Sequence, residues 1–232
     1  MVARYSCVVL VLFVVACTAA PKHTLNETDN KIVLLDPSSQ LGKSWEHRTL
    51  RKGETTYSHT KSLLGNTIEA TGNVSASILY RVFEGIDLSC NTLEWNWFVE
   101  ELQQTSDLRI KGLDDVGASI LISFGDPGIL RDNPVPTLRY VWANNHHAKN
   151  DIIVGPYQET YLRTIIVRSG SVSEYGLVRE SRNIVGDFED AFGKLPTDKI
   201  YAIGIFTDND DTKEPITAHY GSVTLLCNTS GT

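Results

Sequence analysis

The chain has 232 residues, 41% of them apolar, and its 21 basic side chains stand against 28 acidic ones for a formal net charge of −7. That length suffices for one well-buried domain, and the acidic surface repels phosphate backbones, which argues against a nucleic-acid partner. No apolar run in the chain is long enough to span a bilayer as a stable anchor.

The first element is a leader. In "MVARYSCVVLVLFVVACTAAPKH", Arg4 precedes an apolar run from Cys7 to Ala16, the pattern of a secretory signal. Cleavage after Ala20 would leave Pro21 at the cut, where proline fits signal-peptidase geometry poorly. The segment "VVAC", Val14 to Cys17, instead resembles a bacterial lipobox. Residues 1–16 are therefore expected to be the signal peptide, with Cys17 the lipidated first residue of the mature chain. Residues 17–30 read as a polar tether, and residues 31–232 as a single β-sandwich domain. Several acyl chains on one cysteine attach a protein to a membrane in effect permanently. Thr18, where an Asp would favour retention in the inner membrane, points to an exported, periplasm-facing lipoprotein of the outer membrane. Loss of Arg4 with the leader makes the remainder one unit more acidic. Cys7 leaves too, so Cys90 and Cys227 are the thiols left in an oxidising compartment, and a disulfide between them is favoured over two separate buried thiols.

The domain reads as mainly β. "NVSASILYRVF", "LEWNWFVEE", "GASILISFG", "TLRYVWA", "YLRTIIVRSG", "KIYAIGIFTD" and "AHYGSVTLLC" are short segments rich in β-branched and aromatic residues, and Gly, Pro, Asp or Asn bound them. In the second of these, Trp95, Trp97 and Val99 share one face while Glu94, Asn96, Phe98 and Glu100 share the other. The two tryptophans are expected in the core. One segment differs: in "RNIVGDFEDAFGKLP", Val185, Phe188 and Phe192 have helical spacing, and Gly193 and Pro196 end the run. One short helix near 183–192 among many strands predicts an antiparallel, jelly-roll-like β-sandwich.

Familiar catalytic patterns fail on inspection. "GKS" at Gly42–Ser44 ends like a phosphate-binding loop, but Pro37 occupies the place of the required first glycine. No G-x-S-x-G or H-E-x-x-H occurs. His146 and His147 lie in "ANNHHAKND" and are expected to be exposed loop residues.

The stretch "FTDNDDT", Phe206 to Thr212, carries a denser signal. It is no EF-hand, because Lys213 stands where the loop needs glycine and His219 where it needs a bidentate glutamate. Asp208 and Asp210, joined by Asp114 and Asp115 of "KGLDDVG", could still supply hard oxygen ligands to Ca²⁺. The alternative is a polar turn in which Asp and Asn side chains bond nearby amides. A third reading is a carboxylate pair for glycan hydrolysis. Among the aromatic residues, Trp142 and Tyr140 of "LRYVWAN", with Asn145, are the candidate ligand-binding surface, since sugar CH faces stack on aromatic rings.

From Trp45 to about Gly221 the order of motifs resembles the bacterial DUF3047 family of uncharacterised proteins. "GETTY", "EATGNVSAS", "LEWNWFVE", "KGLDDVGASILISF", "LRYVWAN", "ESRNIVGDFEDAFG", "IFTDNDDT" and "AHYGSV" carry the resemblance. It implies a secreted or lipid-anchored β-sandwich and no established activity. Within these motifs, Arg182 suits a structural ion pair with Asp187, or with Asp115. The function expected is a lipid-anchored cell-envelope binding module whose ligand is a saccharide or another cell-envelope component. An envelope glycan hydrolase with paired carboxylates, and a scaffold that binds another envelope protein, are the alternatives.

Overall fold

The computed structural model describes residues 27–28, 30–51, 53–126, 134–171 and 175–228. The signal segment, Cys17 and most of the tether lie outside the described residues. The last part of the tether departs from a free linker, because Glu27–Thr28 pair with Lys31 and Ile32 as a short strand.

Among the described residues, two sheets of seven strands form the domain. The first holds β1 (Glu27–Thr28), β2 (Lys31–Leu35), β4 (Thr56–Ser62), β5 (Gly65–Gly72), β7 (Cys90–Val99), β12 (Val178–Asn183) and β14 (Ile216–Cys227). The second holds β3 (Trp45–Thr49), β6 (Ala76–Ile86), β8 (Ala118–Phe124), β9 (Thr137–Ala143), β10 (Ile152–Ile153), β11 (Leu162–Ser169) and β13 (Ile200–Asp208). β14 organises the first sheet: β7 pairs along one edge, while β5 and β2 share the other. The second sheet runs in the order β10, β11, β9, β8, β13, β6, β3. Its β9 and β11 are parallel, the exception to antiparallel pairing among the described residues. A parallel pair cannot be joined by a hairpin, and the connection through β10 provides the crossover.

Alternation decides what fills the core. On β7, Leu93, Trp95 and Trp97 point between the sheets, as expected, and Glu94 and Asn96 point outward. Trp95 packs at 5.3 Å from Tyr140 and Trp97 at 5.9 Å from Trp142, so the aromatic residues of β7 and β9 meet across the sandwich. Cys90 and Cys227 stand opposite one another where β7 and β14 pair, and a disulfide joins them.

The helix α1 (Ile184–Phe192) follows β12 directly. The Asn183 side chain accepts from the backbone N–H of Val185 and Gly186, and Gly193 closes the helix in the left-handed region at φ 70°. Its buried face is Ile184, Asp187 and Phe188, rotated by one residue from the Val185 face that spacing alone suggested.

A smaller apolar cluster lies on the outer face of the second sheet. Val141, Ile166 and Phe206 are covered there by Leu108 and Val116 from the β7–β8 connection and by Ile153 of β10. One end of this sheet is therefore buried on both faces, and every residue of β9 is buried.

Candidate functional site

The acidic stretch after β13 folds against the acidic stretch before β8 because β13 and β8 are hydrogen-bonded neighbours. Beyond their last pair, Asp208 N–H donates to the Val116 carbonyl at 3.1 Å, and Val116 N–H donates to Asp208 Oδ1 at 2.6 Å. Asp115 turns toward the same place. Its Oδ2 accepts from the Thr212 N–H at 2.7 Å and from the Thr212 hydroxyl at 2.6 Å. Carboxylate oxygens of Asp115, Asp208 and Asp210 all lie within 4.8 Å of one another. Asn209, also buried, holds the turn by accepting from Ser75 N–H and donating to the carbonyls of Gly72 and Glu214.

The electrostatics of this cluster are unfavourable to three bare carboxylates. Burial pushes the Asp208 carboxyl well above its usual range, and the neighbouring Asp115 pushes it further, against the Val116 N–H and Arg139. Asp210 is also raised, first by burial, although Arg51 opposes the shift with its Nε 3.2 Å from Asp210 Oδ2. Asp114 is raised mainly by burial. It stands beside the three without sharing their cluster. The donor set suits a hard divalent cation, which takes carboxylate and carbonyl oxygens and would relieve the repulsion. The same amide contacts also make a self-sufficient turn.

The candidate ligand-binding residues lie elsewhere, and two of them are in the core. Trp142 is 1% exposed, and its indole N–H donates to the Gly170 carbonyl at 2.8 Å. Tyr140 is fully buried and donates to Asp187 Oδ2 at 2.8 Å. The expectation of an exposed aromatic surface on β9 is corrected: Leu138, Tyr140 and Trp142 alternate onto the inner face, while Arg139 and Val141 take the outer one. Asn145 is exposed in the following loop. His147 also departs from expectation, being 2% exposed, whereas His146 is exposed as predicted. Arg182 meets Asp187 through Nε at 2.9 Å and Nη2 at 2.5 Å, so helix, β12 and Tyr140 are tied into one polar network inside the domain.

An open cleft of about 220 Å³ occupies the outer face of the second sheet beyond the covered end. Its floor is made where β13 presents small residues, Ala202 and Gly204, between Tyr80 and Val82 of β6 and Leu121 and Ser123 of β8. A Cβ at position 204 would come within 2.6 Å of the Ile78 side chain, so only glycine keeps the floor this low without displacing that side chain. Tyr80 is held by its hydroxyl, which donates to Glu46 Oε2 at 2.8 Å. Tyr161 and the polar side chains of Arg48, Gln158 and Thr137 complete the walls. No carboxylate lines the cleft among the described residues, and the buried acidic cluster does not open into it. Sequence reasoning missed this surface. "ILYRVF" places apolar residues on both faces of β6, so its alternation could not mark Tyr80 as outward.

The sequence matches the protein family of unknown function DUF3047 over residues 43–224. No relative among curated proteins matches it. Solved structures with similar folds include a family 11 carbohydrate-binding module from Clostridium thermocellum in complex with a β-1,3-1,4-mixed-linked tetrasaccharide. That chain is 10% identical, with a TM-score of 0.47 and coverage of 88% of this chain and 100% of the other. The xyloglucanase domain of NopAA, a type three effector from Sinorhizobium fredii, in complex with cellobiose, is 10% identical with a TM-score of 0.46, covering 91% of this chain and 100% of the other. Both scores are below 0.5, and the sandwich assignment rests on the strand pairings above.

Proposed function

This chain belongs to the DUF3047 family, and from that starting point we propose that it is a saccharide-binding β-sandwich displayed on the bacterial cell envelope. The observation that carries the reading is the cleft on the outer face of the second sheet. A pyranose has an apolar CH face and a polar rim, and the cleft offers the complementary surface. Tyr80, Tyr161 and an aliphatic floor meet the first, and Arg48, Gln158, Ser123 and Thr137 meet the second. The Tyr80 ring is already fixed by Glu46, so little side-chain freedom is lost on binding.

Anchoring through acyl chains on Cys17 and export to the outer membrane belong to the same proposal. Support comes from the lipobox-like "VVAC" and from the Cys90–Cys227 disulfide, which suits an oxidising compartment. Hydrolysis by paired carboxylates finds no support in the geometry, since Asp115 and Asp208 are buried away from the cleft.

The test is a glycan array with the purified domain, followed by calorimetry on the best glycan with Tyr161→Ala and Leu121→Trp. Stacking loss or a filled cleft should weaken binding at least about tenfold. Binding that survives both substitutions unchanged would remove the cleft from the proposal, and an array with no specific signal would remove the saccharide.

A further inference from the structure

The long connection between β7 and β8, residues 100–117, carries Asp114 and Asp115 and covers one end of the second sheet. It is pinned to the loop after β9. Asn144 Nδ2 donates to the Gln103 and Ser106 carbonyls at 2.8 Å each, and the Leu108 N–H donates to His147 Nε2 at 3.1 Å. Leu108 is the residue that this last bond seats, and its side chain is buried against Val141, Ile166 and Phe206.

The His147 contact has an unusual form. Because Nε2 accepts, the ring proton must reside on Nδ1, and Nδ1 is buried with no partner among the described residues. An unpartnered buried donor is costly, so the neutral imidazole is held for its acceptor alone. The groups that face it come from both loops. Asp107, with Oδ1 3.7 Å from Nε2, and Arg109 belong to the β7–β8 connection, and His146 and Asp151 to the loop after β9. Asp107 is occupied by Arg109, which grips both of its oxygens at 2.8 Å.

We infer that His147 is a proton-operated latch on the β7–β8 connection. A proton arriving at Nε2 removes the acceptor of the Leu108 N–H and sets two donors against each other. The new imidazolium N–H lies 3.7 Å from Asp107 Oδ1 and takes that oxygen only if the carboxylate shifts away from Arg109. Leu108 then loses its backbone anchor, and the segment bearing Asp114 and Asp115 loosens. Burial lowers the proton affinity of His147, Asp107 and Asp151 oppose that, Arg109 and His146 add to it, and the net direction is downward. With the folded-state affinity depressed, the latch is fully closed above the ordinary imidazole range. It is lost as pH falls through the lower, folded value. The device is independent of the saccharide reading.

Hydrogen exchange of the intact chain, followed by mass spectrometry at about pH 7.5 and about pH 5, tests it. After correction for the intrinsic pH dependence of exchange, amides of residues 101–116 should lose protection by about tenfold at the acid pH, while β7 and β14 keep theirs. His147→Gln retains an acceptor for Leu108 and does not titrate, so its protection should be the same at both pH values. His146→Gln alters a second contact to the connection, from Nδ1 to the Ser106 carbonyl at 3.1 Å, but should keep the acid response of wild type. If wild-type protection is independent of pH, or if His147→Gln keeps the acid response, the latch is overturned. Should the variant fail to fold, the wild-type His147 proton titration followed by NMR must share its midpoint with the exchange transition, and a mismatch overturns the latch equally.

Discussion

Asp208 accepts the backbone N–H of Val116 at 2.6 Å, a bond that spans 92 residues of sequence and sets the carboxylate inside the protein, 8% exposed, beside Asp115. Two acidic motifs with no local relationship thereby become one cluster. The consequence is a stability that depends on how the charge is neutralised.

Protonation is one way. A carboxyl whose folded-state pKa is raised destabilises the fold when ionised, so its contribution improves as pH falls from above that value toward its ordinary range near 4. Asp208→Asn keeps an oxygen for Val116 and removes the charge. The variant should melt above wild type at about pH 8, and the difference should shrink at about pH 5. Equal melting temperatures at both pH values would show that the charge of Asp208 is already compensated.

A cation is the other way. Thermal unfolding in EDTA and then in millimolar Ca²⁺ should show a rise in midpoint, because a ligand bound only by the folded state stabilises it by RT ln(1 + [L]/Kd). Asp208→Ala should abolish the rise, and Asp114→Ala should reduce it less, since Asp114 lies outside the three clustered carboxylates. An unchanged midpoint in wild type identifies the stretch as a self-sufficient turn.

The Cys90–Cys227 bridge closes a loop with a sequence separation of 137. In the chain-entropy account, replacing both cysteines by serine should cost up to about 5 kcal/mol, read as a lower urea midpoint. Wild type under reducing conditions should show a similar loss.

Trp142 separates packing from binding. Trp142→Ala should cost about 3–5 kcal/mol, because it empties a space lined by Trp97 and Phe98 and strands the Gly170 carbonyl. Once folded, the variant should bind any glycan identified on the array as wild type does. Tyr161→Ala should show the reverse pattern, with little loss of stability and weakened binding.

Cys17→Ala should leave the precursor without a lipid attachment point. Under the proposed acyl anchoring, wild type should sediment with membranes when produced in a bacterium, and the variant should move to the soluble fraction. Sedimentation unaffected by the substitution would require a different anchor.

Much of the architecture was written in local pattern. Alternation in "LEWNWFVEE" placed Trp95 and Trp97 inward, and "RNIVGDFEDAFG" announced the helix through its apolar spacing and terminal glycine, while the Asn183 cap came from the structure. Arg182 could be read as one half of an ion pair, and the structure chose Asp187 over Asp115, because the helix start brings the two side chains together across five residues. The acidic residues could be named as candidates for one site, but their meeting depends on β13 lying beside β8. Tertiary structure alone decided which aromatic residues face solvent. A period of two says that Tyr140 and Val141 point opposite ways, and so do Tyr80 and Leu79, but not which side is the core. On strands that are apolar on both faces, that choice belongs to the partner sheet and to the loops that cover one end of the outer surface. Residues 100–117 bury Val141 and leave Tyr80 beside an open floor, and no local sequence signal records where that distant segment comes to rest.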